Sequence, residues 1–253
     1  MARNPVQHVP SRQNLRNTLG LAREFGFIEF NTIDQVEWWD DFIGDTIHGG
    51  YVTVTNGTGA DALAISATGI SGEATIKNGT ADDAYSGFGT GLEWYGQLNC
   101  AMAVRLKIDD IAAVKMEVGF TDATDDAGAC NDLDGASFTA TDCAVWAFDT
   151  DDSTDNWKLA STPDGGTTDT VTDTSIAPVA ATYETLIVAL EDTAAHFYRL
   201  DSNGYQTYKA SHTTGPSKDV ALTPWVFTQT REGSDEKTVT VDFIKVWQRR
   251  TVS

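Results

Sequence analysis

The sequence predicts an all-β protein built as an antiparallel sandwich or barrel. Apolar residues alternate with small or polar ones over many short segments, which is the period of a strand with one buried face. Turn-forming Asn-Gly and Asp-Gly pairs separate these segments, and scarcely any stretch has the periodicity of a helix. A chain of 253 residues can bury about 70–75% of its unfolded surface in one core. We therefore expect one body over residues 31–253, preceded by an extended arm over residues 1–30.

The arm has its own charge and its own apolar end. Two prolines keep its beginning extended, and Ser11 is placed to cap a short helix. The charged residues before Glu24 are four arginines, so the first 23 residues carry +4 and the remainder −24 of the net charge of −20. The end of the arm is too apolar to stay in water, so it should lie on the body or on a neighbour. These features predict a docking arm whose contact residues are Arg3, Arg12, Arg16, Arg23, Phe25 and Phe27.

The body begins at residues 38–44, WWDDFIG, and continues with paired strands. Residues 51–55 alternate and end at Asn56-Gly57, which is a strong hairpin turn signal, so residues 62–65 are predicted to return as the partner strand. A second Asn-Gly pair at positions 78 and 79 predicts another turn.

The clearest strand pair lies over residues 98–120. Apolar residues alternate from Leu98 to Ile108, Asp109-Asp110 supplies a turn, and the alternation resumes at Val114. This pattern predicts an antiparallel hairpin in the middle of a sheet. The following segment, residues 121–142, is acidic and is expected to be an exposed loop.

The remaining strands follow at steady spacing. Residues 145–148 and 157–160 are predicted to pair, and the threonine-rich residues 167–175 are predicted to be an edge strand or a loop. Further strands are predicted at residues 183–190, 196–200, 205–209, 225–230 and 239–247.

Composition excludes several classes of partner. The net charge of −20 and pI of about 4.3 argue against nucleic acid, because phosphate binding needs a basic face. A membrane span is not expected, because no run of about 18 apolar residues occurs. The start of the chain lacks an apolar segment behind its basic residues, so we expect synthesis in a cytoplasm rather than secretion.

The motifs of common enzymes are missing, and the sequence predicts no catalytic activity. It contains no G-x-S-x-G elbow, no H-E-x-x-H pair and no phosphate-binding glycine fingerprint. Cys100 lies on an apolar strand face and is predicted to be a core residue. Cys130 and Cys143 bracket the acidic loop, and they either pair or remain thiols. A cytoplasmic origin favours free thiols.

Two ligand interpretations stay open beside solvated or buried alternatives. Asp149, Asp151 and Asp155 offer oxygen ligands for Ca²⁺, although their spacing matches no known calcium loop and exposed acidic turns are usually solvated. No other cofactor is expected. A set of aromatic residues offers a sugar-stacking platform, although most aromatics of an all-β chain belong to its core. This set is Trp94, Tyr95, Trp146, Trp157, Tyr198, Tyr205, Tyr208 and Trp225.

The order of motifs resembles a known family. The succession WWDDFIGD, VGFTDATDD, WAFDTDD, HFYRLDSNGYQ and VTVDFIKVWQ, over residues 38–248, is similar to the concanavalin A-like (lectin/glucanase, LamG-like) jelly roll. More narrowly, it resembles the version found in structural proteins of tailed bacteriophages. The resemblance implies two stacked antiparallel sheets. Glycoside hydrolases of this superfamily carry an E-x-D-x-x-E strand, whereas the comparable strand here, residues 114–120, has Glu117 as its only acid. Hydrolysis is therefore not expected.

These observations lead to an expected function and one alternative. We expect a virion structural protein, a decoration or cement protein on the capsid exterior that bridges subunits of the major capsid protein through its arm. Homo-oligomerisation, with a trimer favoured, would multiply weak contacts through avidity. The alternative is a carbohydrate-binding module of a phage tail or fibre that recognises host glycans.

Overall fold

The computed structural model describes residues 35–67, 72–124, 128–165, 169–233 and 235–250. These residues form strands joined by turns and one short 3-10 helix, Gly96–Leu98. No helix among them is long and apolar enough to cross a membrane. The strands are, in chain order, β1 (Gln35–Asp40), β2 (Val52–Asn56), β3 (Ala60–Ile65), β4 (Ala74–Asn78), β5 (Tyr85–Gly89), β6 (Ala101–Ile108), β7 (Val114–Thr121), β8 (Cys130–Asp132), β9 (Ser137–Phe138), β10 (Cys143–Asp149), β11 (Lys158–Thr162), β12 (Thr170–Asp173), β13 (Glu184–Glu191), β14 (Ala194–Leu200), β15 (Gln206–His212), β16 (Thr223–Thr230) and β17 (Thr238–Arg249).

Two large antiparallel sheets form the body, which confirms the predicted two-sheet jelly-roll sandwich. The eight-stranded sheet has the order β15-β14-β13-β6-β17-β4-β3, with β1 paired to the end of β17. The seven-stranded sheet has the order β12-β11-β10-β7-β16-β5-β2. A small third sheet joins β8 and β9. The predicted arm, with Arg3, Arg12, Arg16, Arg23, Phe25, Phe27 and the short helix after Ser11, lies outside the described residues.

The predicted central hairpin is wrong in its pairing, although both of its strands exist. β6 is the middle strand of the eight-stranded sheet and β7 is the middle strand of the seven-stranded sheet. The turn after Ile108 therefore carries the chain across the core from one sheet to the other. Alternation along a strand shows that one face is buried, but it does not say which strand lies beside it.

Both Asn-Gly turns also cross between sheets, so the predicted hairpin of residues 51–65 is wrong. β2 belongs to the seven-stranded sheet and β3 to the eight-stranded sheet, and β4 and β5 are divided in the same way. Gly57 and Gly79 have φ angles of +98° and +95°, a conformation that glycine adopts without a steric cost. The two corners lie together, since the Thr80 backbone N–H donates to the Thr58 carbonyl at 2.8 Å.

The predicted pairing of residues 145–148 with residues 157–160 is confirmed, and the later predicted strands are present. β10 pairs with β11, and β13, β14 and β15 form a continuous antiparallel meander. β12, within the threonine-rich stretch, is an edge strand of the seven-stranded sheet. These pairs are separated by short turns within one sheet, so local sequence signals suffice to identify them.

The core lies between the two sheets and is rich in aromatic side chains. Trp146 and Trp157 are fully buried, with ring centroids 6.3 Å apart in an edge-to-face arrangement. The Trp146 indole N–H donates to the Ile187 carbonyl at 3.1 Å, and the Trp157 indole N–H donates to Glu184 at 3.0 Å. Both hydrogen bonds join the seven-stranded sheet to β13 of the other sheet, so they satisfy buried donors and fix the sheets relative to each other.

Candidate functional site

The outer face of the seven-stranded sheet is buried, unlike the solvated outer face that an antiparallel sandwich usually has. Along β7, Val114, Met116, Val118 and Phe120 belong to the core between the sheets. The alternate side chains, which include Lys115 and Glu117, point to the outer face and are nevertheless 1% and 0% exposed. Something other than the opposite sheet must therefore cover this face.

The cover is the acidic segment that follows β7. Its residues Ala129, Cys130, Leu133 and Ala140 are buried in a cluster with Cys143, Val145, Ala147 and Ala160 of the sheet. The expectation that residues 121–142 form an exposed loop is therefore wrong for this part. Six of the 22 residues from 121 to 142 are aspartates, but small apolar residues between them supply a surface that packs on the sheet. The name "covering loop" is used below for residues 128–142.

Glu117 holds the covering loop in place. Its carboxylate accepts hydrogen bonds from the Ala129 and Cys130 backbone N–H groups at 2.6 and 2.9 Å. The Lys115 Nζ atom lies 3.3 Å from the same carboxylate and also donates to the Cys130 carbonyl. A Cβ atom on Gly128 would lie 2.6 Å from the Glu117 Oε2 atom, so this position of the loop requires glycine. Both carboxylate oxygens thus have partners and are closed off from solvent.

The thiols of Cys130 and Cys143 lie under the same loop. Both are free and fully buried. Burial raises the pKa of each thiol, so both remain protonated and unreactive while the loop is closed. Cys100 is also free and buried, in the core between the sheets, as predicted.

A polar cavity of about 470 Å³ opens at one end of the covered face. Its lining includes Lys115, Asn131, Asp83 and Arg231. The Arg231 guanidinium binds Asp149 through two hydrogen bonds of 2.6 and 3.0 Å and lies 3.3 Å from Asp83. The arginine therefore neutralises the carboxylates at this end of the sheet.

Arg231 also contacts two of the three predicted calcium ligands. Asp149 is buried against Arg231, Asp151 lies 3.5 Å from the same guanidinium, and Asp155 is exposed. Over the described residues, no three His, Cys, Asp or Glu side chains converge as metal ligands. The calcium site stays a prediction for which these contacts offer no support.

A smaller cavity of about 120 Å³ opens at the opposite end of β5 and β16. Trp225 lies at its base, stacked on Phe227 with ring centroids 5.7 Å apart. The Trp225 Nε1 atom is buried and has no hydrogen-bond partner among the described residues. Val52 and Leu92 line the same cavity and are 52% and 51% exposed.

The predicted aromatic platform is largely part of the fold. Of its members, Trp94, Trp146, Trp157, Tyr198 and Trp225 are buried, while Tyr205 is 72% exposed. Tyr208 is half-buried and packs on Trp146 with a centroid distance of 5.8 Å. A continuous stacking surface is therefore not formed by these residues.

A buried serine–histidine pair joins the edges of the two sheets. The Ser161 Oγ atom lies 2.7 Å from the His212 Nδ1 atom and donates its proton to the Thr214 carbonyl at 2.8 Å. The Nδ1 atom therefore carries a proton, and Nε2 accepts from the Thr172 hydroxyl at 3.1 Å. Because the serine proton is directed at a backbone carbonyl, this histidine is not placed as a base for Ser161. Burial lowers the pKa of His212 to about 4.

Comparison with known proteins identifies the fold. No family model and no curated protein matches the chain. Among solved structures, a protein of unknown function from Shewanella oneidensis MR-1 is 15% identical, with a TM-score of 0.62 over 99% of this chain and 98% of the other. Peanut lectin is 11% identical, with a TM-score of 0.58 over 87% of this chain and all of the lectin.

Proteins named as glucanases share the same architecture. A putative beta-glucanase from Mycobacterium abscessus is 9% identical, with a TM-score of 0.55 over 83% of this chain and 99% of the other. A protein described as a pseudo beta-1,3-glucanase of Mycobacterium tuberculosis is 10% identical, with a TM-score of 0.53 over 84% of this chain and 98% of the other. The chain therefore has the concanavalin A-like sandwich fold of lectins and glucanases. At these identities the likeness concerns the fold alone.

Proposed function

We propose that this chain is a non-catalytic structural protein of a virion, which decorates the capsid exterior and stabilises it by bridging subunits of the major capsid protein. The observation that carries the non-catalytic part is the enclosed Glu117. Its carboxylate binds two backbone N–H groups of the covering loop and an ammonium group, and none of it is exposed. A glycoside hydrolase needs two carboxyl groups open to the substrate.

The distribution of charge supports a role in assembly. The residues before Glu24 carry +4 and the rest of the chain carries −24. A basic segment is attracted to acidic surfaces, so it can bind an acidic partner in competition with the acidic body of its own chain. In this proposal Arg3, Arg12, Arg16 and Arg23 bind the capsid, while oligomeric sandwiches, with a trimer favoured, supply the avidity.

Co-sedimentation tests this proposal. The full-length protein is mixed with capsids that lack it, from a tailed phage that encodes it, and is compared with a variant in which the four arginines are replaced by glutamine. We expect the full-length protein to pellet with the capsids and to raise their melting temperature, and the variant to lose both effects. Binding by neither protein contradicts the capsid role, and equal binding by both contradicts the role of the arginines.

A second candidate function is glycan recognition on a phage tail or fibre. The observation that favours it is the cavity at Trp225, where a buried indole donor without a described partner lies beside the exposed Val52 and Leu92. A glycan array followed by titration tests it, with Trp225→Phe as the variant that removes the indole N–H together with part of the ring. Binding that the variant loses supports glycan recognition, and absence of binding by the unaltered protein contradicts it.

A further inference from the structure

Asparagine followed by glycine is the pair of residues at which a protein chain deamidates most readily. Glycine has no Cβ atom, so nothing hinders the approach of its backbone nitrogen to the asparagine side chain. The attack of this nitrogen on the amide carbon is the first step of deamidation. The chain has three such pairs, at the end of β2, at the end of β4 and in the turn between β14 and β15, and they are Asn56-Gly57, Asn78-Gly79 and Asn203-Gly204.

Asn78 is enclosed and held on both sides. It is 0% exposed, and its Oδ1 atom accepts a hydrogen bond from the Lys237 backbone N–H at 2.7 Å. Its own backbone N–H donates to the Lys237 carbonyl at 3.3 Å. Attack by the Gly79 nitrogen requires the Asn78 side chain to leave Lys237 and water to reach it. Reaction at this pair therefore needs local opening of the corner between β4 and β5.

Asn203 is exposed, but its turn is fixed by Asp201. The Gly204 backbone N–H donates to the Asp201 carbonyl at 2.9 Å. The Asp201 carboxylate accepts from the backbone N–H groups of Asn203 and Tyr205, both at 2.9 Å. The Gly204 nitrogen must lose its proton to attack, and the hydrogen bond to a carbonyl retains that proton. Water reaches this pair, but the turn opposes the reaction.

Asn56 is both exposed and unrestrained by such hydrogen bonds. Among the described residues, neither its side chain nor the Gly57 backbone N–H has a hydrogen-bond partner. Asn56 also lines the polar cavity of about 470 Å³, which is large enough to hold the water that deamidation consumes. The two conditions that are separated at the other pairs, access of water and a free glycine nitrogen, are thus combined at this one.

The fold itself requires the glycine that makes Asn56 reactive. A Cβ atom on Gly57 would lie 2.4 Å from the Ala84 Cβ atom, and the φ angle of +98° disfavours any other residue. The next residue fixes the corner, because the Thr58 carbonyl accepts from the Thr80 backbone N–H at 2.8 Å. A larger residue in place of Gly57 would slow the reaction only at the expense of this packing.

We propose that Asn56 is a deamidation site of the folded protein. The Gly57 nitrogen bonds to the Asn56 Cγ atom, the bond from Cγ to Nδ2 breaks, and ammonia leaves with the proton of the Gly57 N–H. Water then opens the resulting succinimide to aspartate or isoaspartate. Either product adds a carboxylate to the wall of the cavity that Lys115 and Arg231 also line. This inference does not depend on the proposed virion role.

Incubation of the full-length protein in heavy-oxygen water at mildly alkaline pH tests the site. Peptide mass spectrometry measures the heavy oxygen gained at each asparagine, which excludes deamidation that occurred earlier. We expect Asn56 to be converted first, Asn203 more slowly and Asn78 at least about tenfold more slowly than Asn56, because Asn78 reacts only after local opening. In guanidinium the rates of Asn56 and Asn78 should converge, because both are followed by Gly-Thr.

Two matched variants identify the source of the acidic species that isoelectric focusing detects. Asn56→Gln keeps the amide, but its longer side chain would have to close a larger ring, so we expect most of the acidic species to be lost. Asn203→Gln should leave most of it in place. The proposal is wrong if Asn203 or Asn78 is converted before Asn56 in the folded protein. It is also wrong if folding leaves the ratio of the Asn56 and Asn78 rates unchanged.

Discussion

The outer faces of the two sheets differ in what lies on them and in the chemistry beneath. On the seven-stranded sheet the covering loop comes from the described chain itself, and it encloses the charged pair of Lys115 and Glu117. On the eight-stranded sheet the buried residues are apolar and belong to the sheet alone. Charged residues are thus buried on the first face, whereas an apolar cluster is buried on the second.

This difference shows that, in a fold shared with lectins and glucanases, the outer faces of the sheets can be buried by contacts within the protein. On the first face, the acid of β7 binds a loop instead of a substrate. On the second face, the buried cluster is apolar and includes three alanines. The polarity of a strand's outer residues therefore does not predict whether they meet water, because a cover can supply hydrogen bonds as well as apolar contacts.

The largest expected effect comes from Glu117→Ala. The substitution leaves the Lys115 ammonium buried without its carboxylate and removes the acceptor of two backbone N–H groups. We expect the free energy of unfolding to fall by about 3–5 kcal/mol, measured by urea denaturation. The control is Glu37→Ala, which removes an exposed ion pair of 2.9 Å with Lys245 and should cost less than about 1 kcal/mol. Equal losses for the two variants would show that the charged pair does not hold the loop.

The next effect is a pH dependence that reports on the contact between the sheets rather than on either face. The pKa of His212 is lowered to about 4 in the folded protein from about 6.5 in the unfolded chain. The unfolded chain therefore binds the proton more readily, so stability is lost as the pH falls from about 6.5 to about 4. The full loss is up to about 3 kcal/mol. Denaturation at several pH values measures it.

His212→Gln is the control for this dependence. It removes the titrating group, while the carboxylates remain the same in both proteins, so the difference between the two stability curves isolates the histidine. We expect the unaltered protein to lose more stability than the variant between pH 6.5 and pH 4. Parallel curves would mean that His212 is not held neutral.

A smaller effect is expected from Gly128→Ala, which tests how closely the covering loop approaches the sheet. Gly128 has a φ angle of +70°, and an added Cβ would meet the Glu117 carboxylate at 2.6 Å. Gly204→Ala is the matched control, because its φ angle is +80° and nothing lies within 4 Å of an added Cβ. Both variants incur the backbone cost of about 1–2 kcal/mol. Only the first should lose about 1–3 kcal/mol more from crowding, and equal denaturation midpoints would contradict the close approach.

The smallest effect is a difference in thiol reactivity that needs no mutation. Cys130 and Cys143 are covered by the loop, whereas Cys100 is enclosed between the sheets. Local opening of a loop requires less free energy than global unfolding. We therefore expect a maleimide to label Cys130 and Cys143 faster than Cys100 under native conditions, as followed by mass spectrometry. Labelling of all three thiols at one rate would mean that the loop opens only when the sandwich unfolds.

Sequence patterns identified the strands better than their partners. The pair of β10 and β11 was predicted correctly because a short turn joins two strands that are neighbours in sequence. The turn after Ile108 and both Asn-Gly turns look like hairpin turns but pass between sheets. Glycine permits a positive φ in either kind of turn, so the turn residues alone cannot distinguish a hairpin from a crossing.

The candidate site was harder to predict from the sequence than the strands were. Glu117 was noted as the only acid of its strand, but its burial depends on a loop whose acidic composition suggested exposure. The small residues Gly128, Ala129 and Cys130 are the signal that this loop approaches a sheet closely. Trp225 was grouped with a stacking platform, whereas the structure buries it against Phe227 beside a small cavity.

The sequence by itself determined the all-β class, the positions of most strands and the uneven distribution of charge, because alternation and composition are properties of neighbouring residues. Only the tertiary structure decided that β6 and β7 occupy different sheets, that an acidic loop closes one outer face and that alanines line the other. These features depend on contacts between residues far apart in the chain, and a period of two specifies a buried face without specifying what buries it.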